Sequence, residues 1–152
     1  MKPGTDPHGV DADRVASSVR TLLDTDRSSE MLGIQVLFAE HGQACAQMLV
    51  REDMVNGHSV AHGGLVFSLA DTTFACAVNS FGPLVVTAAA DIAFVRPAFL
   101  GDLLTAEAEI RTRLPRSVIC DVTIRRGEEV VAEFRARGQQ FGARSTEPAT
   151  TS

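Results

Sequence analysis

Residues 62–81 read HGGLVFSLADTTFACAVNSF, a stretch unlike the rest of the chain. Leu65, Val66, Phe67, Leu69, Ala70, Phe74, Ala75, Cys76, Ala77 and Val78 cannot be gathered onto one stripe at helical spacing, which predicts a helix apolar around most of its circumference. Such a helix has to be surrounded. A single, strongly curved antiparallel sheet gripping a central helix meets that need, whereas a helix lying flat on a sheet would leave one apolar side in water.

The flanking sequence supplies such a sheet. Ile34, Val36 and Phe38 alternate with their neighbours, His41 and Gly42 mark a tight turn, and Ala44, Ala46, Met48 and Val50 alternate again. Residues 84–95 form a further apolar strand that ends at Arg96 and Pro97. Beyond it, Ala106, Ala108 and Ile110 oppose Glu107, Glu109 and Arg111, while Val118, Cys120, Val122 and Ile124 oppose Asp121, Thr123 and Arg125. Val130, Ala132, Phe134 and Ala136 repeat the pattern, with Arg126, Gly127 and Glu128 as the preceding turn. One face buried and one solvated is the signature of an antiparallel sheet. Before the first strand, Val15, Val19, Leu22 and Leu23 give 12–24 the spacing of a short amphipathic helix capped by Asp11 or Asp13. The expected fold is α+β, a long central helix wrapped by a curved antiparallel β-sheet with a short N-terminal helix. Flexible tails are expected over 1–10 and 144–152, around a single domain over 11–143.

A chain of 152 residues, 45% hydrophobic and 22% charged, has the size and texture of one globular domain. The net charge of -5 argues against nucleic acid as partner, since phosphate backbones need a basic surface, but leaves room for a local basic patch holding one anionic ligand. Cys45, Cys76 and Cys120 form no CxxC pair and read as buried, reduced thiols. No stretch reaches the roughly 18 to 20 uninterrupted apolar residues of a membrane span, and the N-terminal MKPGTDPHGVDAD is too polar for a signal peptide. A cytoplasmic location without membrane attachment is the expectation.

Within the apolar helix stands Asp71, which greasy neighbours deprive of an obvious solvated face. An unpaired buried carboxylate is costly, so Asp71 either does chemistry or is satisfied by hydroxyls such as those of Thr72 or Thr87. At the helix start, Gly63 and Gly64 place bare backbone where first-turn N–H groups lack partners. That arrangement serves either as a cap or as a donor to developing negative charge. Asn56, His58 and His62 lie close to the same point. His58 and His62 have no third ligand at local spacing for zinc, so no metal is expected. Ser68 lacks the G-x-S-x-G elbow, no phosphate-binding G-x-x-x-x-G-K run exists, and Cys76 reads as core filler.

The run NGHSVAHGGLVFSLADT over 56–72, continued by AVNS over 77–80, FVRP over 94–97 and Gly101-Asp102, resembles the hotdog-fold acyl-CoA thioesterases, in particular the PaaI type associated with phenylacetate degradation. The likeness spans about 33–141. It implies the hotdog fold, hydrolysis of aryl-acyl (phenylacetyl or hydroxyphenylacetyl type) or medium-chain acyl-CoA, and homodimers that pair into tetramers. It implies no cofactor, coenzyme A being part of the substrate. By the same resemblance Asp71 is the catalytic base or nucleophile and Gly63 the donor to the thioester oxygen. Asn56 and His62 are flanking polar residues, and Thr87 stands where relatives place a hydroxyl that holds the water. Arg96, Pro97, Arg116 and Ser117 correspond to the coenzyme side, where each arginine could equally be a solvated strand end. Phe67 and Phe74 would meet the acyl group.

Two other activities remain open on such a scaffold. A hotdog acyl-CoA hydratase or dehydratase normally carries a different acid/base set, and this helix has no second strong acid; a non-catalytic acyl-CoA-binding module would need Asp71 replaced. Accepting Gly63 and Asp71 as partners also has a geometric consequence. Eight positions along one helix separate their backbones by about 12 Å, so the site is expected to be shared between two chains packed with antiparallel helices.

Overall fold

The computed structural model describes residues 9–142. The expected tails fall outside the described residues, apart from Gly9 and Val10. The elements are α1 (Ser17–Asp24), α2 (Arg27–Leu32), β1 (Gln35–Glu40), β2 (Gln43–Leu49), α3 (Gly63–Val78), β3 (Val85–Phe94), β4 (Leu103–Arg113), β5 (Ser117–Arg126) and β6 (Glu129–Gln140). All six strands join one sheet in the order β1-β2-β4-β5-β6-β3, and every pairing is antiparallel. α3 lies in the concavity of the sheet, as the apolar run requires. The fold is the hotdog fold.

Local chemistry accounts for the boundaries. His41 and Gly42 both take positive φ, 52° and 76°, which makes the two-residue turn whose twist suits a β1–β2 hairpin. The helix expected over 12–24 is in fact two pieces. A 3-10 turn (Ala12–Arg14) is capped by the Asp11 carboxylate, and Val15 then pairs with Ala39 as a parallel bridge before α1 begins. α2 was not expected. At six residues, with only Met31 and Leu32 apolar, it is too short to show a period. Its signals are the Asp26 cap, accepting from Ser29 N at 3.0 Å, and Gly33 at φ 67° closing its C-terminus.

The core runs between α3 and the inner face of the sheet, centred on Phe74, Met48, Leu69, Leu104, Val122 and Ile124. On the outer face Asp121 receives Arg135 at 2.6 Å and Arg111 at 2.9 Å. The Arg135 hydrogen bond above all, helped by Arg111, holds its carboxyl below the usual carboxylate range. By length and composition Gly63–Phe81 could cross a bilayer, yet half of it is buried as the core of this fold.

One expectation needs correction. α3 is not enclosed all round: Ser68, Asp71, Thr72 and Ala75 are only partly covered and Gly64 is exposed, a stripe at helical spacing. The sheet covers the other faces, and this stripe is where the sequence turns small and polar.

Candidate active site

The start of α3 is fixed by two loops that brace each other. Asn56 Oδ1 accepts from His58 N at 2.9 Å and Val60 N at 3.2 Å, folding the loop before the helix on itself. Ala61 N then donates to Ala98 O and Leu100 N to Ser59 O, tying that loop to the segment after β3. The latter segment is held by Asp102, which accepts from Phe99 N and from Arg126, both at 2.8 Å. Partial burial would raise Asp102, but the Arg126 and Phe99 hydrogen bonds and the Arg126 charge outweigh it and lower its pKa. His62 caps the helix by backbone alone and its imidazole is exposed. The N–H groups of Gly63 and Gly64, in the first turn, therefore point out of the helix without an intrahelical acceptor. Gly63 packs under Phe94: a Cβ added there would stand 2.8 Å from Phe94 Cζ, so only glycine fits this contact unless the ring moves.

Asp71 sits two turns further on, half-buried. Thr87 Oγ1 donates to its Oδ1 at 2.7 Å. Thr87 and Phe94 lie seven positions apart on β3 and would face opposite sides of a regular strand. They face the same side because the β3–β6 register slips between Thr87 and Ala89: Thr87 stands opposite Gly138, whereas Phe94 stands opposite Ala132. The extra residue, Ala88, is a β-bulge that aims both side chains at α3. The start of β3 is pinned by Asn79, whose amide donates to Ala75 O and Val85 O and whose oxygen accepts from Val85 N, all at 2.9 Å.

One chain thus unites Asp71 with Thr87, and Gly63 with Phe94, but leaves the two pairs apart by about 12 Å of helix. The two arginines are further apart still. Arg96 donates to Val130 O at 2.8 Å, at the beginning of β6, and Arg116 O accepts from Gln140 N at its end. The intervening strand is about 30 Å long. Pro97 O accepts from Arg126, and Ser117 lines a small cavity with Arg116, Arg113, Phe81 and Val78. Phe67 is half-buried, with its ring edge-to-face on Phe134 at 5.3 Å. Phe74 corrects the expectation of an acyl contact: it is fully buried, 6.2 Å from Phe134, and belongs to the core. Burial pushes the Cys76 thiol up to about 12, which removes it as a nucleophile at neutral pH. Among the described residues no cluster of three His, Cys, Asp or Glu side chains could hold a metal. Asn79 and Phe94 stood within sequence motifs but were given no role, and Gly138 was not named, since their roles arise from contacts across the β3–α3–β6 junction.

With this geometry in view, the comparisons define the class: the Thioesterase superfamily matches residues 58–133, and the chain belongs to it, a thioester hydrolase of the hotdog fold. It is 38% identical over 130 residues to the acyl-coenzyme A thioesterase PaaI of Escherichia coli, covering 85% of this chain and 93% of that protein. The solved structure of E. coli PaaI, from the phenylacetic acid degradation operon, superposes with a TM-score of 0.81 over 83% of this chain and 92% of that one. A variant of the phenylacetic acid degradation protein PaaI from Thermus thermophilus is 31% identical, with a TM-score of 0.74 over 76% and 100%. A hypothetical thioesterase from Streptococcus pneumoniae, solved with coenzyme A, is 25% identical, with a TM-score of 0.69 over 74% and 88%.

Proposed function

We propose that this chain hydrolyses acyl-CoA thioesters to the free acid and coenzyme A, with one catalytic domain over 11–143. The single observation that carries the reading is the Thr87–Asp71 hydrogen bond on the open stripe of α3, which holds one carboxylate oxygen and leaves the other free. Asp71 either takes a proton from a water that adds to the thioester carbonyl carbon or attacks that carbon itself. The C–S bond then breaks, and the departing thiolate is protonated to coenzyme A. After water attack the acid is released directly, whereas after attack by Asp71 a water hydrolyses the Asp71–acyl anhydride to the acid and restores the carboxylate. The Gly63 N–H receives the carbonyl oxygen as negative charge develops on it. His62 and Asn56 flank this point; the Asn56 oxygen is used within its loop, so its Nδ2 is the group left to donate to substrate. Coenzyme A enters and leaves as part of the substrate, and the chemistry calls for no cofactor. Phenylacetyl and hydroxyphenylacetyl groups, or medium acyl chains, are the acyl classes inferred, supported by the likeness to PaaI of the E. coli phenylacetic acid degradation operon. Buried, unpaired Cys45, Cys76 and Cys120 fit a cytoplasmic setting.

The site is completed by a second copy. β3 is an edge strand of ten residues, exposed along nearly all its length, with Val86, Phe94 and Val95 among its uncovered apolar residues and its terminal neighbour. An edge of this kind seeks a partner strand. Antiparallel pairing of two β3 strands about a two-fold axis sets Asp71 and Thr87 of one chain beside Gly63 and Phe94 of the other. The same operation carries Arg96 of one chain to the end of the site where Arg116 of the other lies. Dimers of this kind can pair again into tetramers.

A panel of phenylacetyl-, benzoyl- and octanoyl-CoA, with released thiol detected, tests the reading. Thiol release from at least one ester is expected. Consumption of an enoyl- or hydroxyacyl-CoA without thiol release would overturn it in favour of a hydratase, and tight binding without turnover in favour of a binding module.

A further inference from the structure

Phe94 stands in an unusual position for an aromatic residue. The bulge at Ala88 turns it toward α3, its ring edge rests on Gly63, and yet it remains 54% exposed. One side of the ring is seated and the other is open. Ile92, two positions earlier, lies on the same face and is paired with Phe134 across β6. Phe134 in turn holds Phe67 edge-to-face, and Phe67 follows Gly63 by one helical turn. Phe94 is thus the exposed end of an apolar layer at the helix start, with the partly buried Ile92 and Phe67 behind it resting on the buried Phe134.

We propose that Phe94 is the specificity-determining residue for the acyl group, forming the wall against which a planar aryl ring stacks once its thioester oxygen is held at the Gly63 N–H. This rests on the hydrolase reading above and goes beyond it by naming what chooses the acyl class. An acyl group whose carbonyl oxygen lies on that N–H has its first carbons within reach of the Phe94 ring, because the ring touches the same glycine. An aryl group gains ring-to-ring contact there in addition to its apolar burial, whereas an unbranched alkyl chain gains burial alone. The preference is therefore carried by the ring and not by bulk at this position.

The test is kcat/KM for phenylacetyl-CoA and hexanoyl-CoA in the wild type, Phe94→Ala and Phe94→Leu, with melting temperatures alongside. The expected result is that the aryl-to-alkyl ratio falls about tenfold in both variants. Phe94→Leu keeps the cover over Gly63 and its stability, which makes the fold of that variant secure. A ratio within about twofold of wild type in both variants would overturn the proposal, and so would an equal loss on both esters accompanied by a lowered melting temperature, which marks a structural role. Failure of the underlying reading looks different: the wild type then releases no thiol from either ester, and the proposal falls with it.

Discussion

Asp71 is held by one hydroxyl on one oxygen and stands on the open stripe of α3. Replacing it by asparagine keeps the shape and keeps an oxygen for Thr87 to donate to, but removes the basic and nucleophilic centre. Asp71→Asn is expected to lower turnover of a good acyl-CoA ester by at least about a hundredfold. Its melting temperature should stay at or above that of the wild type, since no carboxylate remains to be desolvated. Activity above roughly a tenth of wild type in a folded variant would remove Asp71 from the chemistry. Asp71 was legible because a lone acid among Leu69, Ala70 and Phe74 has no ordinary explanation. Its surroundings were not: the sequence suggests an enclosed carboxylate, while the structure leaves it half-covered, because none of the described residues closes over the open stripe of α3. Thr87 was one of two hydroxyls, with Thr72, that the sequence offered to Asp71, and the alanines that follow it carry no register that could choose between them.

At the scale of elements, the site depends on how β3 lies between α3 and β6. Strand alternation fixes which residues face inward only while the count is unbroken, and the Ala88 bulge breaks it where Ala88, Ala89 and Ala90 are interchangeable in any pattern. The later strands were readable from alternation. In β1 a register slip between Val36 and Phe38 buries Leu37 and Ala39 where Ile34, Val36 and Phe38 were expected to share the inner face. Neither that slip, the Ala88 bulge nor the brief α2 has a period to reveal it. Gly138 shows what the junction needs. It is buried opposite Thr87, and a Cβ there would stand 2.5 Å from Val85 Cγ1, 2.9 Å from Val118 Cγ1 and 3.1 Å from Phe74 Cζ. Gly138→Ala must push Val85 outward, and Thr87 is two residues along the same strand. Overpacking of this kind costs about 1–3 kcal/mol, which in a domain of this size lowers the melting temperature by roughly 2–12 °C. Turnover should fall more than apparent affinity, because the displaced hydroxyl acts on Asp71 and not on the coenzyme. Thermal melts and steady-state kinetics on the same preparation check both parts, and an unchanged melting temperature would show that the junction has slack.

For the whole molecule, the decisive question is whether Asp71 and Gly63 of one chain ever serve the same substrate. About 12 Å of helix separates them, while an attacking group and an oxyanion donor must both lie near 3 Å from one carbonyl, roughly. The side chain of Asp71 leans toward the helix start and recovers only part of the gap, and its Oδ1 is already drawn toward Thr87 on β3. Two-fold pairing along β3 resolves this by supplying Gly63 from the partner, and it makes a prediction that no single-chain site shares. Asp71→Asn chains keep Gly63; Gly63→Pro chains keep Asp71 but lose the N–H, at a first helical position whose φ suits proline, with the exposed Phe94 ring displaced by the new Cβ. Each variant alone has two dead sites per dimer. Unfolded together in equal amounts and refolded, half the dimers are mixed, and each mixed dimer holds one intact site, with Asp71 from one chain and Gly63 from the other. About a quarter of the wild-type activity is therefore expected from the mixture. Tagging the two variants differently and isolating the doubly tagged species should raise this to about half. Mixed dimers that form, fold and stay inactive would require the oxyanion donor and Asp71 to come from one chain, and would send the search for the donor to the N–H and hydroxyl groups nearer Thr87.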